Sequence, residues 1–404
     1  MPSEFEKQWE IISRGAVELL PEDEFAERLK SSIKENKPLR VKQGFDPTAP
    51  DIHLGHTVGI RKLRQFQDLG HKIVLIVGDY TALVGDPSGR SATRPQLVYE
   101  QIMKNAETYQ QQFFKILDKS KTEIHHNGDW FGKMSFREIL DLASKFTVAR
   151  ILERDDFDKR FKSNTPISIH ELIYPLMQAY DSVAIKADVE IGATEQKFNL
   201  LTGREIQQDY GVIPQVVLTL PVLVGVDGHQ RMSKSIGNYI GIDEPANEIF
   251  GKVMSIPDSQ IYSYFELATD ISSERLAEIH AILEDGSANP MEIKKQLGVE
   301  LVRMYHDDDA AKSARAEFAR VFSKGEIPDD VPEYNCGHYG DSVWIIELLS
   351  DSKLVASKGE ARRMIRSGAV SIDGEKIQDE NIKLSLKNGL LIKVGKRRFL
   401  RLKV

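Results

Sequence analysis

The sequence predicts an α/β protein in which a Rossmann-like domain with a parallel sheet is followed by an all-helical region and a small α+β domain. The first observation is the order of strand, helix and strand over residues 39–45, 52–69 and 72–77, which opens a nucleotide-binding fold. The second is that Lys72–Val77 is largely an apolar run, as in a buried parallel strand. The third is a change near residue 244, after which the pattern is charged and helical to about residue 324.

Each further element follows from the period of its apolar residues or from a turn residue at its end. Gly70 stands after the first predicted helix, where a helix C-terminus favours glycine. Further helices are predicted over 96–117, 136–153, 170–183 and 195–210, and further strands over 122–126, 187–191 and 215–220. Residues 325–340, with two prolines and several acids, indicate a linker, and residues 341–404 indicate the α+β domain.

Composition bounds the class of protein. A chain of 404 residues is long enough for two or three domains, and 41% hydrophobic with 28% charged residues is typical of soluble proteins. The single cysteine, Cys336, excludes an intramolecular disulfide and fits a reducing compartment. No apolar run approaches the roughly 20 residues needed to span a bilayer, and Met1–Glu4 leads into charged sequence, so a cytoplasmic protein without membrane contact is expected.

The net charge of -7 conceals a basic C-terminus. Lysine and arginine recur densely from Lys353 onwards. The last of them are Lys393, Lys396, Arg397, Arg398, Arg401 and Lys403. An acidic body with a basic end predicts localised binding to a polyanion rather than coating of nucleic acid.

Two short motifs predict chemistry on ATP. His53-Leu54-Gly55-His56 lies in the first turn of a predicted helix, whose N-terminus favours anions, and Gly55 leaves room for a ligand near the backbone. The implied reaction is in-line attack on the α-phosphate, which depends on stabilising charge. A surface histidine pair and a zinc site are the alternatives, and zinc is disfavoured because no third ligand stands nearby at ligand spacing.

The second motif, Arg231-Met232-Ser233-Lys234-Ser235, lies in a loop over 225–237 that is rich in glycine and polar residues. A mobile cation there can close on the triphosphate and relax once pyrophosphate leaves. We expect Lys234 to carry that charge, with Arg231 and Ser233 assisting. The alternative is a solvated basic loop.

A third pattern points to the amino acid. Tyr174, Gln178 and Asp181 fall at i, i+4 and i+7 of a predicted helix and hence on one face, where a carboxylate and an amide would be costly if buried without partners. With Gly44–Asp51 and Gly85–Gly89, this segment resembles the blocks of the bacterial-type tyrosyl-tRNA synthetases, a class I aminoacyl-tRNA synthetase family, over nearly the whole chain.

The resemblance implies a role for each matching position. Tyr174, Gln178 and Asp86 would bind the α-ammonium of tyrosine, with Thr81 close by, and Asp181 would accept its phenolic hydroxyl. Asp46, Thr48 and Gly55 would lie at the ATP, with His53 and His56 as catalytic groups. Gly192, Glu195 and Gln196 would lie where the family binds ribose and substrate.

The chain departs from the family at two of these positions. Much of the family has tyrosine, which shares the substrate hydroxyl, where this chain has Lys42. Lys42 is therefore predicted at the tyrosine site in its place. Glu195 replaces the usual aspartate of the ribose turn and lengthens its side chain.

The C-terminal residues resemble a small RNA-binding domain shared with a ribosomal small-subunit protein. Lys358, Arg362, Arg363 and Arg366 are the predicted RNA contacts, because the arginines lie on about one helical turn. Asp373-Gly374 is a hairpin signal. The alternative is a solvated basic face.

The resemblance therefore implies a tyrosine-tRNA ligase that uses ATP with Mg²⁺, holds no metal of its own and acts on tRNA(Tyr) as a homodimer. It implies a catalytic domain over 1–228 with a helical insertion around 127–165, then a signature loop and helical anticodon-side domain over 229–324. The linker 325–340 and the RNA-binding domain 341–404 follow. Two rivals are a tryptophan-specific synthetase and a non-catalytic RNA-binding protein derived from a synthetase.

Overall fold

The computed structural model describes residues 2–48, 51–88, 98–234, 236–323, 331–395 and 398–404. Some predictions fall outside these ranges: Ala49, Pro50, Gly89, Ser235, Lys396 and Arg397 of the motifs, residues 96–97 of a helix, and residues 324–330 around the linker. The chain divides into two compact units, Met1–Ala311 and Lys312–Val404. Within the described ranges, every helix is too short or too polar to cross a membrane.

The first unit is built on a six-stranded sheet. Its strands are β1 (Glu18–Leu20), β2 (Arg40–Phe45), β3 (Lys72–Val77), β4 (Thr122–His126), β5 (Val189–Ala193) and β6 (Val216–Leu220), in the order β1-β6-β5-β2-β3-β4. All neighbours are parallel except β1, which pairs antiparallel with β6 at one edge. The predicted parallel sheet is confirmed, and β3 and β4 match the predicted bounds residue for residue. The edge strand β1 was not predicted from the sequence.

Helices surround this sheet. They are α1 (Glu4–Ser13), α2 (Glu22–Glu35), α3 (Leu54–Asp68), α4 (Thr81–Val84), α5 (Tyr99–Phe113), α6 (Gly128–Phe131), α7 (Phe136–Ser144), α8 (Val148–Ile151), α9 (Asp155–Lys162), α10 (Ile169–Ile185) and α11 (Lys197–Asp209). Short 3₁₀ turns cover Lys119–Lys121 and Thr194–Gln196. Gly70 follows α3 with φ of 89°, which confirms the predicted glycine stop. The predicted helix over 136–153 is broken into α7 and α8.

Beyond the sheet, the first unit is helical, as predicted. The helices are α12 (Ala246–Val253), α13 (Ile261–Ala268), α14 (Ser273–Asp285) and α15 (Pro290–Tyr305), with a 3₁₀ turn over Asp258–Gln260. Helix α16 (Asp308–Phe318) begins in the first unit and ends in the second. Pro290 occupies the first turn of α15, where its missing N–H has no helical partner to lose, and the side chain of Asn289 caps the same end.

The second unit is a small α+β fold. Its strands are β7 (Glu333–Asn335), β8 (Ser342–Trp344), β9 (Val370–Ile372), β10 (Glu375–Ile377), β11 (Lys383–Ser385), β12 (Leu391–Val394) and β13 (Arg398–Lys403); a π-helix covers Ala319–Ser323, a 3₁₀ turn Gly337–Tyr339, and helices α17 (Ile345–Asp351) and α18 (Lys358–Arg366). Asp373 and Gly374, both with positive φ, turn β9 into β10, which confirms the hairpin signal.

One boundary differs from the sequence analysis. Strand β7 pairs in parallel with β13, so the five-stranded sheet, in the order β10-β9-β12-β13-β7, includes residues that the sequence analysis places in the linker. Cys336 is buried in the core of this unit. The prolines and acidic residues of this segment are typical of a linker. The short strand β7 forms there because its backbone pairs with β13, which is distant in the sequence.

Candidate active site

The predicted polar residues meet at the carboxyl edge of the parallel sheet. Asp46 follows β2 and Thr81 follows β3, and these strands are neighbours. The Thr81 hydroxyl donates to Oδ1 of Asp46 at 2.7 Å, and the Tyr174 hydroxyl donates to Oδ2 of Asp46 at 2.9 Å. A side chain at Gly78 would lie 2.1 Å from Oδ1 of Asp46, so this close approach requires glycine.

The predicted face of α10 is turned toward this edge. Asp181 is 3% exposed, and its carboxylate accepts from Nε1 of Trp130 at 3.0 Å and from Nδ2 of Asn127 at 3.4 Å. Burial raises the pKa of Asp181 to about 7, against the lowering effects of the Lys42 charge and of these hydrogen bonds. Asn127 and Trp130 follow β4 without any motif, so neither was predicted from the sequence.

Lys42 lies beside the predicted tyrosine-site residues Gln178 and Asp181, but its ammonium is engaged by protein groups. Its side chain is fully buried, and its ammonium donates to Oγ of Ser182 at 2.7 Å and to the backbone oxygen of Gln178 at 3.0 Å, and pairs with Glu190 at 3.1 Å. An ammonium has three N–H donors, and these three partners use all of them. Direct binding of a substrate by Lys42 therefore has no support in this geometry. Glu190 is a charge between the apolar residues of β5, whereas β2 also contains Arg40 and Gln43, so Lys42 does not stand out in the sequence.

The turn after β5 brings in Gln196. Its Nε2 donates to Oδ2 of Asp86 at 2.7 Å, which joins two predicted substrate residues. The backbone N–H of Ser88 donates to Oδ1 of Asp86 at 2.9 Å and closes the turn over 86–88. A side chain at Gly192 would lie 3.0 Å from Leu200, so this glycine lets the turn pack on α11.

The two histidines are stacked at the N-terminus of α3. Their ring centroids lie 3.8 Å apart at an angle of 24°, and His53 is the N-cap, with its Nδ1 accepting from the backbone N–H of Gly55 at 3.2 Å. Nδ1 of His56 accepts from the backbone N–H of His53 at 3.3 Å. A side chain at Gly55 would lie 3.0 Å from the His53 ring, so this glycine makes room for the ring itself.

Burial keeps both imidazoles neutral. It lowers the pKa of His56 to about 4, and burial together with the proximity of the His56 ring and of the Lys234 charge lowers the pKa of His53 to about 2. Since Nδ1 of each neutral ring accepts from the backbone, Nε2 carries the proton. Each ring therefore offers one N–H donor beside a helix N-terminus.

Both cations of the second motif are paired with carboxylates. Lys234 pairs with Asp51, and Nη1 of Arg231 donates to Oε1 of Glu195 at 2.5 Å. The backbone N–H of Ser233 donates to Oδ1 of Asn238 at 2.8 Å, and Asn238 is buried. Thr48 is held in its turn by its backbone N–H, which donates to the backbone oxygen of Asp46 at 2.8 Å.

The predicted RNA residues form an exposed basic face on α18 in the second unit. Lys358, Arg362 and Arg363 are exposed, and the guanidinium of Arg362 lies 5.7 Å from the centre of the Trp344 ring. Arg366 differs from them, because it makes two hydrogen bonds of 2.9 Å to the carboxylate of Glu380.

Comparison with known proteins identifies the family. Residues 34–323 match the model of "tRNA synthetases class I (W and Y)", and residues 324–401 match that of "Tyrosine--tRNA ligase SYY-like C-terminal domain". The chain is 52% identical over 401 residues to the tyrosine-tRNA ligase of Desulfotalea psychrophila, covering 99% of this chain and 98% of that one. It is 53% identical to that of Syntrophotalea carbinolica, covering 98% of each chain. The chain belongs to the tyrosine-tRNA ligase family.

Solved structures of tyrosyl-tRNA synthetases share the fold. The mitochondrial enzyme of Aspergillus nidulans has a TM-score of 0.63 at 21% identity, covering 80% of this chain and 95% of that one. The Archaeoglobus fulgidus enzyme has a TM-score of 0.62 at 22% identity, covering 77% of this chain and 99% of that one. At this identity the likeness concerns the fold alone, and it confirms the class I synthetase architecture that the motifs imply.

Membership of the tyrosine-tRNA ligase family confirms the predicted enzyme class and activity. The model of the N-terminal region covers both tryptophan and tyrosine enzymes, whereas the C-terminal model and the named relatives are tyrosine-specific. They favour the tyrosine ligase over the tryptophan rival, and a class I synthetase over the non-catalytic rival.

Proposed function

We propose that the described site makes tyrosyl-adenylate from tyrosine and ATP and then transfers the tyrosyl group to tRNA(Tyr). A carboxylate oxygen of tyrosine attacks the α-phosphorus of ATP while the bond to pyrophosphate breaks. A ribose hydroxyl of the terminal tRNA adenosine then attacks the carbonyl carbon, and AMP leaves. The observation that carries this proposal is the meeting of both motifs with Asp46, Thr81 and Tyr174 at one sheet edge.

The phosphate half of the site acts by electrostatics. His53 and His56 present neutral N–H donors at the N-terminus of α3, and Lys234 and Arg231 supply positive charge from the opposite loop. Thr48 lies at the γ-phosphate side, and Asp46, Gly55, Gly192, Glu195 and Ser233 line the ATP. These groups stabilise charge on the departing pyrophosphate without covalent participation.

ATP is bound as its magnesium complex, with the metal brought by the substrate. Mg²⁺ prefers carboxylate and phosphate oxygens and keeps several waters. In the described ranges no group of three or more His, Cys, Asp or Glu residues could hold a metal. Asp51 and Glu195, the carboxylates beside the cations of the second motif, are each paired with one of those cations. The triphosphate therefore supplies most of the ligands.

The amino-acid half of the site binds both ends of tyrosine. The α-ammonium is received by the oxygens of Asp86, Tyr174, Gln178 and Gln196, with Thr81 close by. Asp181 accepts the phenolic hydroxyl at the far end of the same helix face. Lys42 supports this half indirectly through Glu190 rather than by contact.

Pyrophosphate exchange into ATP with each amino acid in turn tests the proposal. Exchange with tyrosine far faster than with any other amino acid is the expected result. Exchange with tryptophan alone would contradict the tyrosine assignment, and its absence with all amino acids would contradict catalysis.

We also propose that the exposed side chains of α18 bind tRNA phosphates. Arg363→Ala is expected to weaken tRNA binding and to reduce the slope of log Kd against log salt by about one, because one phosphate contact is lost. Arg366→Ala is the matched comparison, and a smaller effect is expected because Glu380 already neutralises Arg366. Filter binding over a salt series measures both. Equal losses of tRNA binding in the two variants would contradict the proposed difference between Arg363 and Arg366. As a control, pyrophosphate exchange should be unchanged in both variants.

The helical insertion offers a surface for a homodimer. Several large apolar side chains of this insertion are exposed: Phe136, Leu140, Val148 and Phe161. Phe136→Asp, at a side chain that is 74% exposed, is expected to convert a dimer to monomers, because a charge would be buried in the interface. Sedimentation velocity measures the change. Ile213→Asp, at an exposed isoleucine outside the insertion, is the control and should remain dimeric. Monomeric wild-type protein would contradict the proposal.

We place this enzyme in the cytoplasm.

A further inference from the structure

Three side-chain amides meet between α10 and α11. Asn199 is buried, and its Nδ2 donates to Oε1 of Gln178 at 3.0 Å and to Oε1 of Gln196 at 3.3 Å. Its Oδ1 accepts from Nη1 of Arg154 at 3.1 Å. Both N–H bonds of Asn199 are therefore directed at the two glutamines that we assign to the α-ammonium.

The partners of these amides fix which end of each amide points where. An amide can turn over and exchange its donor and acceptor ends unless a neighbour can serve in only one role. Arg154 can only donate, so it fixes the oxygen of Asn199. The carboxylates of Glu190 and Asp86 accept Nε2 of Gln178 at 3.1 Å and Nε2 of Gln196 at 2.7 Å. The glutamine oxygens consequently face Asn199, and each retains a second lone pair.

Charged groups anchor both ends of this chain of amides. At one end, the buried Glu190 pairs with Lys42 and accepts from Oγ of Ser182 at 3.1 Å. At the other end, Arg154 is ion-paired with Asp156, and its guanidinium lies 4.7 Å from the centre of the Phe157 ring. Neither anchor can exchange donor for acceptor. Lys42 thereby gains a role, because it fixes the carboxylate that orients Gln178.

We propose that Asn199 is a positioning residue that keeps an acceptor oxygen of Gln178 and of Gln196 available to the α-ammonium of the substrate. The proposal rests on the assignment of these glutamines under "Proposed function". Without the donor at Asn199, each glutamine keeps only its carboxylate partner. Its side chain can then swing about that single contact, and its Oε1 is no longer held toward the cation. The loss should therefore concern the amino group of the substrate and leave its ring and carboxylate unaffected.

Two ligands test this role in the full-length protein. One is tyrosine, and the other is 3-(4-hydroxyphenyl)propanoate, which lacks only the amino group. Asn199→Leu is expected to raise KM for tyrosine about ten- to a hundredfold with kcat nearly unchanged, since one or two hydrogen bonds to a cation are impaired. The Kd of the amino-free ligand should change by less than about twofold, because it makes none of those bonds. Equal weakening of both ligands, or an unchanged KM for tyrosine, would overturn the proposal.

Neighbouring variants separate positioning from folding. Thr202→Val alters a buried residue of the same helix whose hydroxyl donates to the backbone oxygen of Phe198 at 2.9 Å, and it should leave both ligands unaffected. Arg154→Met should reproduce part of the selective loss and keeps the test available if Asn199→Leu fails to fold. Arg154→Lys retains a donor and should restore tyrosine binding. If Arg154→Met weakened tyrosine and the amino-free ligand equally, Arg154 would not act by orienting Asn199, and the proposal would be weakened.

Gln178→Leu distinguishes the two levels of the hypothesis. If this variant weakens both ligands equally, the assignment of Gln178 to the α-ammonium is wrong, and the role of Asn199 falls with it. If Gln178→Leu is selective for the amino group and Asn199→Leu is not, the assignment stands and only the role of Asn199 is overturned.

Discussion

Replacing Asp181 by alanine is expected to lower kcat/KM for tyrosine in pyrophosphate exchange by about 10²- to 10³-fold, with a much smaller effect on phenylalanine. The substitution leaves Nε1 of Trp130, Nδ2 of Asn127 and the substrate hydroxyl without their acceptor in a buried site. Each unpaired group costs about 1–3 kcal/mol. Tyrosyl-tRNA synthetases are themselves a standard example of discrimination by a site built for a substrate hydroxyl.

The ratio of kcat/KM for tyrosine to that for phenylalanine is the decisive measurement. It should fall in Asp181→Ala and stay unchanged in Asp68→Ala, which alters an exposed aspartate of α3. An unchanged ratio in Asp181→Ala would show that another group selects tyrosine.

The pH dependence provides a second test of Asp181. Because burial raises the pKa of this carboxyl to about 7, kcat/KM for tyrosine should fall as pH decreases through 7, where the neutral acid accepts a hydrogen bond more weakly. Asp181→Asn should lack this limb of the profile. Stability changes in the opposite sense: between the ordinary pKa of 3.8 and about 7 the folded state binds the extra proton, so the contribution of Asp181 to the free energy of unfolding falls as pH rises.

The sheet was predictable because its signals are local. Lys72–Val77 and Thr122–His126 combine strand length with apolar or β-branched residues and flanking breaks, and both strands have the predicted bounds. The segment over residues 4–35 carries two helices and β1, which the sequence analysis did not predict. β1 has only three residues and is defined by its antiparallel pairing with β6, which no local pattern encodes.

The site was predictable where a residue acts on a ligand and unpredictable where it acts on another residue. Asp46, Thr81 and Tyr174 stand in motifs, and the structure brings them within hydrogen-bonding distance of one another. Asn199 and Trp130 act through the orientation of other side chains, which depends on tertiary contacts. Glu190 is a charge within the apolar strand β5, yet its partnership with Lys42 follows only from the parallel pairing of β2 with β5.

Replacing Lys234 by alanine is expected to lower kcat for pyrophosphate exchange by about 10²-fold, while the Kd of tyrosine remains unchanged. The cation lies on the loop facing the α3 N-terminus and is available to the charge that develops on pyrophosphate. Lys295→Ala is the control, because it removes a lysine of α15 that pairs with Glu292. An equal loss in the control would indicate a general effect of charge.

Asp51 should behave in the opposite way, because it holds Lys234 before ATP arrives. The pair is partly exposed, with 32% of the lysine and 42% of the aspartate side chain accessible, so it contributes at most about 1 kcal/mol. Triphosphate can displace so weak a pair. Asp51→Asn is therefore expected to lower KM for ATP by at most about fivefold and to leave kcat unchanged. Steady-state kinetics at varied ATP measures both constants. A loss of kcat comparable to that of Lys234→Ala would mean that Asp51 is needed in the reaction itself. The expected result, a loss of kcat in Lys234→Ala but not in Asp51→Asn, means that Lys234 acts in the transition state and Asp51 only in the ligand-free enzyme.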